Sequence, residues 1–247
     1  MFALDASFIA LAGIVFVAFT TEATAGFGSS IITLTVGSLL YSIPALLPIA
    51  VPLNLSLVAY IVARHRSHIA WRFLLSRVLP LMFAGAAVGY AISNAVTGPR
   101  LQLAFGAMVV VLSVVELVRL IRPGIGATTA LPGPVAAAVI VAAGIIHGIY
   151  ATGGPLLVYA IGRSELPKRE LRSTLAAIWL CLNIGLVTAF AIGGRIGRTE
   201  LEAIGMLLPV VIAAIALGEL LHDRIPERPF RILVFALLLC AGTMILV

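Results

Sequence analysis

The stretches Gly26-Phe27-Gly28-Ser29-Ser30 and Ala151-Thr152-Gly153-Gly154-Pro155 interrupt two long apolar segments, each near the start of one half of the chain. Glycine permits positive φ and close backbone approach, so both stretches predict a break in a helix. Inside a bilayer, irregular backbone is tolerated only where it is buried in protein or lines a wet cavity. We therefore expect the first turn (residues 26–30) and the second turn (residues 151–155) to face the interior of the protein.

The composition is that of a polytopic membrane protein. Hydrophobic residues make up 62% of the 247 residues and charged residues 11%, whereas soluble domains carry roughly 25% charged residues. Apolar segments repeatedly approach the roughly 20 residues that a helix needs to cross a bilayer. Such segments are predicted at residues 7–25, 30–42, 44–63, 73–94, 101–118, 134–150, 155–162, 173–192, 201–220 and 231–247.

The net charge of +6 comes from basic residues in short loops between apolar segments. This distribution indicates positive-inside topology rather than a surface for nucleic acid. If each turn closes a hairpin that returns to its own side, 13 of the 16 Lys and Arg residues lie on one face. A single crossing helix through the second turn would weaken this bias. We therefore predict hairpins at 7–42 and 134–162, cytoplasmic basic loops and both termini outside.

The two halves share a pattern of residues. A shift of 125 positions aligns Gly28 with Gly153, and a shift of 129 aligns Asn54 with Asn183. The alternative is a chance match among residue types that are common in such segments. Each half contains one hairpin and three spans, so the second half begins on the opposite side of the membrane. This predicts an all-α fold with two inverted-topology repeats, an architecture of secondary transporters. The predicted repeats are residues 1–122 and 134–247, joined by a loop at 123–133.

The two turns predict a site for a small anion. A helix that restarts after a break directs its free N–H groups, with about half a positive charge, toward that break. No basic side chain lies deep in the predicted spans, so affinity would depend on these dipoles. The predicted substrate-binding residues are those of the turns and two amides, namely Gly26, Gly28, Ser29, Ser30, Asn54, Thr152, Gly153, Gly154 and Asn183. The alternatives are close helix packing at the turns and structural hydrogen bonds for the amides.

Two ionisable residues, Glu22 and His147, precede the turns by the same spacing. Ionisable side chains within membrane segments are costly and indicate function. We expect proton coupling, in which ionised Glu22 competes with the anion for the helix ends and protonation releases them. The alternatives are that Glu22 caps backbone N–H groups and that His147 bonds a carbonyl. Trp71 and Trp179 lie near predicted span ends, which indicates anchoring at the interface.

Other classes of function find less support. Ser29 or Ser30 with His147 would make a serine-histidine dyad of an intramembrane protease. The second turn, however, has the same glycine break without a serine, so the feature that the two turns share is not a nucleophile. A membrane scaffold without a ligand is a further alternative. No Walker motif is present, which argues against primary pumping. The two cysteines match no metal or redox spacing, so we predict neither a metal nor a cofactor, and no enzyme.

The segments 21–30 (TEATAGFGSS) and 147–157 (HGIYATGGPLL) resemble the TauE/SafE sulfite-exporter family of membrane permeases. The resemblance extends over essentially the whole chain, although Ser29 and Ser30 stand where many members have further glycines and a proline. It implies a bacterial inner-membrane carrier that exports sulfite, sulfonates or related sulfur anions. An uptake permease or a channel for another small anion is the alternative, and the sequence leaves a homodimer open.

Overall fold

The computed structural model describes residues 5–95, 99–122, 131–161, 168–222, 224 and 227–247, and these ranges are helical almost throughout. The first half contains α1 (Ala6–Ala25), α2 (Ser29–Gly37), α3 (Ile43–His65), α4 (Trp71–Phe73), a π-helical segment (Leu74–Val78), α5 (Leu79–Ala95) and α6 (Pro99–Ile121). The second half contains α7 (Gly133–Tyr150), α8 (Gly154–Ile161), α9 (Lys168–Ile192), α10 (Arg198–His222) and α11 (Glu227–Leu246). Most of the predicted loop at 123–133 lies outside the described residues.

Seven helical segments of the described ranges are long and apolar enough to cross a bilayer. This confirms an all-α, multi-pass membrane protein. The π-helical segment joins α4 to α5, so that Trp71–Ser93 forms one candidate span. The helix limits agree with the predicted segments to within a few residues, except at α2. This helix ends at Gly37 rather than at 42, because the chain turns before α3 begins at Ile43.

The short helices α2 and α8 fold back beside the helices that precede them. They contain 9 and 8 residues, far fewer than the roughly 20 of a full crossing. A Cβ placed on Gly37, at the end of α2, would lie 3.6 Å from Cδ1 of Leu11 in the first half of α1. Ile161, at the end of α8, lines a cavity together with Gly133 at the start of α7. Both glycine breaks therefore lie at the tips of helical hairpins.

Helices of the two halves pack against each other in pairs that occupy equivalent positions in the two halves. α1 packs against α10, α7 packs against α5, and α3 packs against α9. The first helix of each half thus packs against the third candidate span of the other half. A Cβ on Gly89 of α5 would lie 2.1 Å from the carbonyl oxygen of Ile145 of α7, so only glycine permits this approach. This packing brings both hairpin tips beside the middle of α3 and α9.

Candidate functional site

The two turns have matching backbone geometry. α1 ends at Gly26 (φ +85°), whose N–H donates to the carbonyl oxygen of Glu22 at 2.7 Å. α7 ends at Ala151 (φ +52°), whose N–H donates to the carbonyl oxygen of His147 at 2.7 Å. A left-handed residue is a common way to end a helix, and glycine adopts that conformation without strain. Ala151 is the one described non-glycine residue with positive φ.

A small cavity of about 20 Å³ lies between the two turns. The structure brings most of the predicted site residues together here, namely Glu22, Gly28, Ser30, Asn54, His147, Thr152, Gly153, Gly154 and Asn183. Gly26 and Ser29 do not line the cavity. Gly26 caps α1, and Ser29 is fully buried at the start of α2.

The carboxylate of Glu22 occupies the N-terminal end of α2. Its side chain is buried, and Oε2 accepts a hydrogen bond from the backbone N–H of Ser29 at 2.7 Å. Oε1 accepts a second hydrogen bond from Nδ2 of Asn54 at 2.9 Å. The start of a helix is where its dipole attracts negative charge. The positive end of α2 is therefore satisfied by a carboxylate of the same chain, as the capping alternative predicts.

A chain of side-chain amides connects Glu22 to the second half. Nδ2 of Asn54 also donates to Oγ of Ser29 at 2.7 Å, and Oδ1 of Asn54 accepts from Nδ2 of Asn183 at 2.7 Å. A carboxylate only accepts hydrogen bonds, so Asn54 must direct its NH₂ group toward Glu22. Asn183 then donates with its own NH₂ group. Its remaining atom, Oδ1, is buried and has no hydrogen-bond partner among the described residues.

The imidazole of His147 stands in the second half where Glu22 stands in the first. The side chain is 2% exposed, and neither ring nitrogen has a hydrogen-bond partner within the described ranges. The ring stacks on Trp179, with centroids 5.4 Å apart and planes 14° from parallel. Asn183 is its polar neighbour in the cavity wall. The amide of Asn183 interacts with the ring, but no hydrogen bond of normal geometry joins His147 to a carbonyl oxygen in the described part of the chain.

Trp179 is a site residue that the sequence interpretation missed. It is 5% exposed and lines the cavity, so the predicted role as an interface anchor is wrong for this residue. The available signal was its spacing, because Trp179 precedes Asn183 by four residues and helical residues so spaced share a face. Trp71, in contrast, is 45% exposed.

The second turn contacts α7 directly and leads into α8. A Cβ on Gly153 would lie 2.3 Å from the carbonyl oxygen of Ala143, so this position has no room for a side chain. α8 begins at Gly154, and the first N–H groups of a helix have no partner within the helix. Among the described residues, the cavity wall beside this helix end contains the imidazole of His147, and Glu22 supplies its carboxylate.

A buried arginine lies beside the first turn. Arg172 is 8% exposed; its Nη2 donates to the carbonyl oxygen of Ala23 and forms an ion pair with Glu219 at 2.6 Å. α9 begins four residues earlier, at Lys168, and this helix carries the arginine into the protein. Arg172 directly precedes the predicted span at 173–192, and the structure buries it beside the first turn rather than in an exposed loop. Its guanidinium is nevertheless engaged by Glu219 and Ala23, and it does not line the cavity.

The geometry does not favour a serine nucleophile. Oγ of Ser29 accepts from Asn54, and neither Ser29 nor Ser30 hydrogen-bonds His147 in the described part of the chain. A nucleophilic serine needs a base within hydrogen-bond reach. Among the described residues, no group of three His, Cys, Asp or Glu side chains is arranged to hold a metal ion.

Comparison with known proteins gives one match. A family model described as "Sulfite exporter TauE/SafE" matches residues 11–245. A search of curated proteins and a search of solved structures returned no match. The matched range includes both turns and the whole cavity wall.

Proposed function

This chain belongs to the TauE/SafE family of sulfite exporters, and from that premise we propose that it is a secondary transporter of a small sulfur-containing oxyanion. The cargo would be sulfite or a small sulfonate, moved outward across the bacterial inner membrane. The observation that carries this proposal is the cavity between the turns, where the start of α8 meets the buried imidazole of His147, whose ring nitrogens make no hydrogen bond of normal geometry with the described residues. The family indicates sulfur, and the helix end indicates an anion.

In this proposal the backbone holds the anion. The N–H groups at the start of α8 and the hydroxyl of Thr152 donate to it, while Gly153 and Gly154 permit close approach. Asn54 and Asn183 position the polar wall, since each is buried and lines the cavity. On the opposite side, Gly28 and Ser30 complete the site from the first turn. Gly26 and Ser29 do not contact the anion but maintain the conformation of that turn.

Glu22 and His147 are proposed to couple transport to protons. Ionised Glu22 accepts from the N–H of Ser29 and thereby competes with an anion for the start of α2. Protonation weakens this contact and reduces the negative charge in the cavity. His147 is positioned to donate to the anion when protonated, because its ring nitrogens have no partner among the described residues.

Alternating access is proposed to use two inverted repeats. The exchanged packing of α1 on α10 and of α7 on α5 supports this symmetry. Arg172 pairs with Glu219, and Arg228 and Arg231 contact the last turns of α6. We assign this basic end to the cytoplasm, with both termini outside.

The test is sulfite flux from loaded proteoliposomes, with sulfate and a small sulfonate measured in parallel. Saturable flux with counterflow, increased by an imposed pH gradient, is expected for the carrier. Flux without saturation or counterflow would instead indicate a channel, and accumulation against the proposed direction would indicate uptake. Absence of flux for every anion, in vesicles that contain folded protein, would contradict the proposal.

A further inference from the structure

The two half-sites differ in one decisive respect. The start of α2 already holds a carboxylate, since Oε2 of Glu22 accepts from Ser29 at 2.7 Å. The equivalent residue beside α8 is His147, which brings no negative charge of its own. An anion in the cavity is therefore drawn to the α8 end. On the side of α2 the anion faces Glu22, the one acidic residue of the cavity wall within the described ranges.

The fixed hydrogen bonds leave acceptors facing the ligand. Glu22 and Asn54 set the direction of the amide chain, and this direction leaves Oδ1 of Asn183 as a buried acceptor beside the imidazole of His147, without a donor at normal hydrogen-bond geometry among the described residues. The carboxylate oxygens of Glu22 have further lone pairs beyond the two bonds that they accept. The cavity thus combines donors at the start of α8 with acceptors at Glu22 and Asn183.

The charges around the cavity do not offset the negative charge of Glu22. The titratable groups in the cavity wall are Glu22 on α1 and His147 on α7. α9 brings Arg172 near the first turn, but its guanidinium is paired with Glu219 of α10. α2 and α3 contribute Ser29 and Asn54, which are neutral. A fully deprotonated anion would therefore meet a carboxylate without a proton between them, which is unfavourable at low dielectric.

From this asymmetry we infer that the site selects oxyanions that carry a proton, with an anionic oxygen at the start of α8 and an O–H group that donates to Glu22 or to Oδ1 of Asn183. The inference rests on the proposed function and specifies its substrate class as the monoprotonated oxyanion, hydrogen sulfite in the case of sulfite. Glu22 is then the specificity-determining residue. Each bound anion brings one proton into the cavity.

Two nearly isosteric monoanions provide the test. Methylphosphonate that retains one proton has an O–H donor, whereas methanesulfonate has the same charge and shape without it. Trp179 lines the cavity and serves as the reporter. The chain has two tryptophans, so a Trp71→Phe background isolates its fluorescence. Binding is titrated by fluorescence at a pH at which methylphosphonate keeps its proton, with sulfite measured in parallel.

We expect methylphosphonate to bind at least about tenfold more tightly than methanesulfonate, since a hydrogen bond to a charged acceptor is worth that much. Glu22→Gln in the same background should reduce the ratio, because the amide can donate to a sulfonate oxygen. The ligand pair tests the inference even if this variant does not fold. Equal binding, or tighter binding of methanesulfonate, overturns the selection of protonated anions and leaves an anion site. If neither ligand nor sulfite binds, and vesicles show no flux, the proposed function itself fails.

Discussion

Asn183 donates through Nδ2 to Oδ1 of Asn54 at 2.7 Å, which joins the two amides at matching positions of α9 and α3. The bond crosses from one half of the chain to the other at the edge of the cavity. Any motion that separates the halves there must break this bond or carry both partners together. The contact also shows that the structural alternative for these amides holds, while both side chains still line the cavity.

Asn183→Leu should weaken both stability and anion binding. The substitution leaves Oδ1 of Asn54 buried without its donor, and buried interhelical hydrogen bonds in membranes are worth about 0.6 kcal/mol on average, up to roughly 1–2. We expect a lower unfolding temperature in detergent and strongly reduced sulfite flux. Thr188→Val in the same helix is the control, because its hydroxyl bonds only its own helix, at the exposed carbonyl of Ile184. Wild-type flux in Asn183→Leu would contradict a role in the site.

Glu22→Gln should remove most of the pH dependence of flux. In the wild type, lower pH on the loading side should increase flux, because a proton on Glu22 or on the anion removes the repulsion between the two negative charges. Glutamine is permanently uncharged, so its flux should be nearly independent of pH over the same range. His147→Gln should reduce the remaining dependence. The measurement is initial sulfite efflux over a series of pH values, and an unaltered profile in both variants would exclude proton coupling through these residues.

Gly153→Ala should abolish transport. The added Cβ would lie 2.3 Å from the carbonyl oxygen of Ala143, a separation at which the second turn must shift. Displacement of even about 1 Å at a binding site can reduce function by two orders of magnitude. Gly205→Ala is the matched control, because a Cβ there would meet nothing within 4 Å. Normal flux in Gly153→Ala, at normal expression, would show that the turn geometry is not needed.

Ser29→Ala and Ser30→Ala should retain transport. Both variants preserve the backbone N–H groups, including the donor from Ser29 to Glu22. Ser29→Ala removes the acceptor for one of the hydrogen bonds of Asn54, so we expect at most a severalfold loss of flux. The double variant also tests the protease alternative, since a serine nucleophile cannot be replaced by alanine. Flux and hydrolysis of a membrane-spanning peptide are measured on the same preparation.

Arg172→Gln should destabilise the protein more than Glu219→Gln. Arg172 is more deeply buried than its partner and also donates to the carbonyl oxygen of Ala23. Removing one member of a buried ion pair typically costs about 3–5 kcal/mol, and the partial exposure of Glu219 reduces this value. Thermal unfolding in detergent should rank the variants. The opposite order would show that the bond to Ala23 contributes little.

Much of the site could be predicted from residue type and spacing alone. Gly28 and Gly153 lie at matching breaks, Asn54 and Asn183 are amides at matching positions of apolar segments, and all four line one cavity. Trp179 was assigned wrongly because tryptophan near a span end also suits the membrane interface. Arg172 was placed in a loop because a charge at a span end is equally compatible with the headgroups. To assign either residue correctly, one must know which helices pack against it.

The sequence by itself determined that this protein crosses a membrane as helices and breaks two of them at glycine. A backbone in hydrocarbon must pair its polar groups internally, so the hydrophobic composition and the positions of the glycines are enough to predict helices and their breaks. Only the tertiary structure decided that Glu22 occupies the start of α2, that the amide chain turns Oδ1 of Asn183 away from Asn54, and that His147 stacks on Trp179. These relations depend on how α1, α3, α7 and α9 pack, and packing is set by many distant contacts rather than by local residue patterns.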